Sequence, residues 1–117
     1  MQRTIAIVDD DHAARDSLRF LLEVSGHTVE VFASAAEFLG AEKRDLACLI
    51  LDHHMPHTTG LQLVEQLHAD GFNIPILLIT GGPSSTLAAR AETLGVALLE
   101  KPPNEDELMN FIYESLS

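Results

Sequence analysis

Residues 46–56 read LACLILDHHMP, six consecutive apolar residues followed by Asp52, two histidines, a methionine and a proline. A run without polar alternation fits a strand buried on both faces, as the central strands of parallel sheets are. Pro56 lacks the N–H that strand pairing needs, so Met55-Pro56 turns the chain away. Asp52 therefore stands at the end of a rigidly held segment. Outward from this run, shorter apolar segments lie at Thr4–Val8, Thr28–Phe32, 75–79 and 96–99, and helix-like stretches separate them. With the central run, taken as 46–51, they predict an α/β fold, a parallel sheet covered by helices on both faces.

The five helices have start and stop signals of their own. Ala14, Leu18, Leu21, Leu22 and Ser25 form one stripe of the first helix, which stops at Gly26 because glycine tolerates the left-handed backbone of a C-terminal cap. Ser34-x-x-Glu37 reads as a capping box opening a short second helix, and Asn104-x-x-Glu107 as one opening the fifth. The fifth presents Leu108, Phe111, Ile112 and Leu116 as its core stripe. The third helix runs from about Gly60 to Asp70 before Gly71, and the fourth from Ser84 or Ser85 to Leu94 before Gly95. With 117 residues and no linker or repeat, residues 1–117 are expected to form a single domain.

Charge and composition narrow the function. Seven basic against 18 acidic residues give a formal charge of −11, which repels phosphodiester backbones and anionic lipid headgroups, so neither nucleic acid nor membrane is an expected partner. Cys48 is the one cysteine and lies inside the central apolar run, where a buried, unreactive thiol is expected. No signal-like segment precedes the acidic residues Asp9, Asp10 and Asp11, and no run reaches the roughly 18 apolar residues of a membrane span. A cytoplasmic protein is expected.

Parallel strands all end on one edge of their sheet, and ligands bind in the crevice outside those ends. The unusual residues follow the strands: Asp9, Asp10 and Asp11 after the first, Asp52 after the third, Thr80 after the fourth and Lys101 after the fifth. Carboxylates a few ångströms apart raise one another's pKa and call for a cation. Hard oxygen ligands in an open cluster suit Mg²⁺, and Lys101 adds a fixed positive charge. Thr80 offers a hydroxyl to a phosphoryl oxygen, and Gly81 and Gly82 leave room for close approach. Asp52 is the best nucleophile, since carboxylate attack on phosphorus is mostly positioning and charge neutralisation. Asp11 serves as a simple helix cap. His12, His53, His54 and His57 invite a transition-metal reading, but their spacing lacks the pairing such sites use.

The segments IVDDD (7–11), LILDHHMP (49–56), TTGLQL (58–63), LLITGG (77–82) and LLEKPP (98–103) resemble the signatures of bacterial two-component response-regulator receivers, the CheY-like superfamily. They look most similar to receivers of nitrogen-fixation regulators. The resemblance implies a flavodoxin-like, doubly wound five-stranded sheet of order 2-1-3-4-5 with five helices. It also implies that a sensor histidine kinase or phosphotransfer protein phosphorylates Asp52. On the same grounds Asp10 is a direct Mg²⁺ ligand, Asp9 acts largely through water, and Asp52 and the backbone carbonyl of His54 complete the metal site. Thr80 and Lys101 would hold phosphoryl oxygens, so the chain is a phosphoacceptor rather than an enzyme in its own right. A homodimer through the fourth helix, fifth strand and fifth helix is a further expectation.

Departures from the pattern are instructive. Leu98 stands where the family commonly has an aromatic that changes rotamer on activation, which puts the usual Thr–aromatic coupling in doubt. His54 and Gly82 occupy positions that flank the attacking water, and Pro103 replaces a frequent aromatic beside a Lys101–Pro102 bond that is often cis. Three alternatives compete with this reading. A dehalogenase-type phosphatase would use Asp9 as nucleophile and Asp11 as acid, a flavodoxin would want a phosphate-cradling first loop where three carboxylates stand, and a pseudo-receiver would bind partners without phosphorylation.

Overall fold

The computed structural model of the chain describes residues 3–42 and 45–116. Strands and helices alternate in the order β1 Thr4–Val8, α1 His12–Val24, β2 Thr28–Phe32, α2 Ala35–Gly40, β3 Leu46–Asp52, α3 Gly60–Ala69, β4 Ile76–Thr80, α4 Ser85–Leu94, β5 Ala97–Glu100 and α5 Glu105–Leu116. All strand pairs are parallel and the order is β2-β1-β3-β4-β5, a flavodoxin-like sheet. β3 lies at the centre with all seven residues buried, which is why its sequence carries no polar alternation.

Alternate residues of the central strands feed two cores. Ala6, Val8, Leu49, Leu51 and Leu78 pack with Phe38 of α2, Leu63 and Val64 of α3, and Leu87 and Ala91 of α4. Ile5, Ile7, Ile50, Leu77 and Ile79 pack with Leu18 and Leu22 of α1 and Leu108 and Ile112 of α5. Cys48 belongs to the second core, where burial pushes its thiol up to about 11 against the opposing effects of Ser115 and Arg3, so it stays protonated at neutral pH. Among the described residues no helix is long and apolar enough to cross a membrane.

Most helix ends follow their side-chain signals. Asp11, Ser34 and Ser84 cap α1, α2 and α4, Asn104 Oδ1 accepts from the Glu107 N–H at 3.0 Å, and Gly95 ends α4 in the left-handed region at φ 73°. The reciprocal arm of the box on α2 goes one residue astray: Glu37 accepts from Ala33 N, 3.4 Å away, instead of Ser34 N. A complete capping box instead opens α3, where Thr59 Oγ1 accepts from Gln62 N at 3.2 Å and Gln62 Oε1 from Thr59 N at 2.9 Å. Such a cap contributes about 1 kcal/mol.

Some boundaries and faces differ from expectation. β3 and β4 run on to Asp52 and Thr80, and β5 to Glu100, while α3 ends at Ala69 with Asp70 as its cap. Each of these strands ends one residue later because the sheet ladder holds its last residue even where the side chain is polar. β4 and β5 also start one later, at Ile76 and Ala97: Pro75 has no N–H to give, and Val96 N goes to Ala91 O of α4 at 3.0 Å. Ser25 is exposed as the cap after α1, and Leu116 is 37% exposed. The eight residues from Leu108 to Leu116 amount to a drift of roughly 80° around the helix, enough to carry Leu116 off the buried stripe.

Candidate functional site

Sheet pairing continues past the strands into the residues that gather at their carboxyl ends. Asp9 N donates to Phe32 O at 3.1 Å, His53 N to Ile79 O at 2.9 Å and Lys101 N to Thr80 O at 2.8 Å. Asp9 and Asp52 are buried, Asp10 is exposed, and these three carboxylates bring ligand oxygens within 4.8 Å of one another. Asp9 is further fixed by Asp11 N on Oδ1 at 2.9 Å and by Arg15 Nη1 on its backbone oxygen at 2.8 Å. Asp11, the acid of the phosphatase alternative, is occupied in capping α1, its Oδ1 accepting from Ala13 N at 3.0 Å.

Lys101 faces the cluster from β5. Its Nζ lies 2.9 Å from Asp9 Oδ2 and 3.7 Å from Asp52 Oδ1, and the peptide bond to Pro102 is cis. Burial pulls its pKa down, but the hydrogen bond to Asp9 and the charges of Asp52, Asp9 and Asp11 outweigh this and raise it, so the ammonium is held. Asp52 is raised from 3.8 to about 6, first by burial and then by Asp9 and Asp10, with Lys101 and the His54 N–H opposing. One ammonium among three carboxylates leaves an excess of negative charge on hard oxygen donors. A divalent cation such as Mg²⁺ fits that donor set.

Thr80 closes the site from β4 with no exposed surface. Its Oγ1 accepts from Gly82 N at 3.2 Å and lies 2.8 Å from His54 Nε2, a contact that sequence periodicity gives no means of finding. The histidines do not gather as ligands: the His53 and His54 rings meet edge to face with centroids 5.1 Å apart, and their nitrogens go to different partners. His54 turns to Thr80, His53 Nδ1 accepts from Leu61 N at the start of α3 at 3.4 Å, and His12 pairs with Asp16 at 3.3 Å on the outer face of α1. Burial, His54 and Arg90 lower the pKa of His53. Among the described residues the metal-ligating side chains that converge are Asp9, Asp10 and Asp52.

Gly60 is a structural member of the site. A Cβ added there would lie 2.6 Å from Asp52 O, 2.6 Å from Leu78 Cδ1 and 2.9 Å from His53 Cα, so α3 begins directly against the end of β3. The signal in the sequence is a glycine at the start of a helix instead of after its end, within TTGLQL. Leu98 pairs in register with Leu78 and is half-buried against the α4 side, two residues before the Thr80–Glu100 pair.

This arrangement has close parallels among known proteins. The family model of the response regulator receiver domain matches residues 5–113. The chain is 40% identical over 114 residues to the transcriptional regulatory protein FixJ of Azorhizobium caulinodans, covering 96% of this chain and 54% of that protein. It is likewise 40% identical over 114 residues to the response regulator protein TodT of Pseudomonas putida, covering 96% and 50%. The chain thus spans about half the length of the curated relatives it matches. Among solved structures it superposes on the response regulator StyR with a TM-score of 0.90 at 37% identity, covering 99% of this chain and 60% of that one. On FixJ-N the TM-score is 0.87 at 31% identity, with 98% and 94% covered. With a doubly wound sheet, an acidic cluster at its carboxyl edge and this extent of match, the chain belongs to the response regulator receiver domains, the phosphoacceptor modules of two-component systems.

Proposed function

We propose that residues 1–117 act as one receiver unit in which Asp52 takes a phosphoryl group from the phosphohistidine of a sensor kinase or phosphotransfer protein. The observation that carries this is the buried Asp52 carboxylate at the end of β3, with Lys101 Nζ 3.7 Å from one of its oxygens and Thr80 buried at the end of the neighbouring strand. An Asp52 oxygen attacks phosphorus while the phosphorus–nitrogen bond to the donor imidazole breaks, and the departing nitrogen keeps the electron pair. Mg²⁺ would be held by Asp9, Asp10, Asp52 and the His54 carbonyl and would supply charge neutralisation on the transferred oxygens. Lys101 supplies the second positive charge from the end of β5, exchanging part of its contact with Asp9 for a phosphoryl oxygen. Thr80 donates its hydroxyl proton to another.

Incubation with acetyl phosphate and magnesium is expected to add one phosphoryl group by intact mass, and EDTA to prevent it. Asp52→Asn should stay unmodified. Undiminished labelling of that variant would remove Asp52 as the acceptor, and labelling lost in Asp9→Asn but kept in Asp52→Asn would favour the phosphatase alternative.

A further inference from the structure

We propose that His54 is the switch partner of Thr80 in this chain: its imidazole holds the Thr80 hydroxyl while Asp52 is unmodified, and a phosphoryl group on Asp52 displaces it. The inference rests on Asp52 being the acceptor. A threonine hydroxyl has one proton to give and two lone pairs to offer. Gly82 N–H occupies one lone pair at 3.2 Å. Thr80 has no exposed surface, so water does not serve the proton, and the partner in reach that can accept it is His54 Nε2 at 2.8 Å. With Thr80 donating to the Nε2 lone pair, the ring N–H is on Nδ1.

Phosphoryl oxygens accept hydrogen bonds and give none. For Thr80 to reach one, its single proton must leave His54, so the bond it donates to His54 and the bond it donates to a phosphoryl oxygen exclude each other. His54 is itself exposed, and its ring can swing into solvent once released. Its neighbour His53 is tied to α3 through Gly60 N on His53 O at 3.0 Å and Leu61 N on Nδ1 at 3.4 Å, so release acts on the β3–α3 segment. Leu98 has neither ring nor hydroxyl to report on Thr80, which leaves His54 as the aromatic ring joined to that hydroxyl. The signal therefore leaves the site beside α3.

Imidazole ¹⁵N spectra of the intact chain in alkaline buffer test this. Without ligand, His54 is expected in the Nδ1–H tautomer with a nuclear Overhauser contact to the Thr80 methyl. Absence of that contact overturns the proposal. On saturation with beryllofluoride and magnesium, with filling checked independently by the bound ¹⁹F signal, the contact should vanish and the ring relax to the tautomer mixture of an exposed histidine. A filled site with an unmoved ring overturns the role of His54 alone. A wild-type site that never fills overturns the acceptor assignment and the switch with it, while the ligand-free contact stands. His54→Phe keeps a ring but no lone pair, so it should bind beryllofluoride about fivefold more tightly because one hydrogen bond no longer has to break. Unchanged or weaker binding in a folded His54→Phe counts against the competition.

Discussion

Gly60→Ala is expected to destabilise the fold by about 3 kcal/mol and to impair phosphorylation of Asp52 together with stability. The added methyl meets Asp52 O at 2.6 Å and His53 Cα at 2.9 Å, both parts of the backbone, so no side-chain rotation relieves them; Leu78 Cδ1, also at 2.6 Å, could move alone. Either α3 backs away from β3, breaking the Gly60 N to His53 O bond, or the end of β3 shifts and carries Asp52 off its alignment with Lys101. Both routes act on the same few atoms. Urea denaturation measures the first effect, and the initial rate of labelling by acetyl phosphate the second. Gly82→Ala is the control, since nothing lies within 4 Å of a Cβ there, and its change should stay within about 0.5 kcal/mol. A Gly60→Ala protein as stable as the control would show that the helix start yields freely.

In metal-free buffer at neutral pH, Asp52→Asn is expected to be more stable than the wild type by about 2 kcal/mol. The folded-state pKa of Asp52 lies near 6, above its ordinary 3.8. Between those values the native chain holds a proton that the unfolded chain has released. Stability attributable to Asp52 therefore falls as pH rises through that window and stays low above it. Other carboxylates impose slopes of their own, so the informative quantity is the difference between the two proteins. That difference should be small near pH 4, grow up to about pH 6 and level off above it. Magnesium should close most of it by stabilising the wild type, because a ligand that binds only the native state adds stability by mass action. An asparagine variant less stable than wild type in EDTA would mean that Lys101 more than offsets the repulsion from Asp9 and Asp10.

Much of this was legible in advance, for identifiable reasons. The apolar run of β3 admits little but a central strand, and five alternations of strand and helix leave few topologies. Asp9, Asp52, Thr80 and Lys101 each directly follow or end a strand and Asp10 is one residue further on, so parallel pairing alone brings them to one edge. What depends on side-chain direction was harder. The ring of His54 could face solvent, the acidic cluster or Thr80, and pattern does not choose among them. Gln62 reads as an ordinary polar helix residue until its side chain is seen on Thr59 N. The closeness of Gly60 to Asp52 O is a contact between segments whose approach is set by packing of α3 against Leu78. Leu116 fits an i, i+4, i+8 spacing from Leu108, and the actual pitch of the helix carries it into the open.

The extension of strand pairing into the site bears on which motions can reach it. Asp9, His53 and Lys101 each give their amide proton to a neighbouring strand. Amides in the central ladder of a sheet exchange with solvent only when the whole unit opens, whereas loops exchange through small local excursions. Repulsion between the buried Asp9 and Asp52 therefore acts on residues held at the ends of the sheet ladder, where it lowers the stability of the sheet as a unit. Gly81 and Gly82 lie on the exposed rim beyond that ladder, where Gly82 N donates to the Thr80 side chain at 3.2 Å and not to a strand. A cation binding between the carboxylates slows exchange of the ladder amides by the full factor of its binding, while the glycine rim goes on exchanging at nearly its own rate.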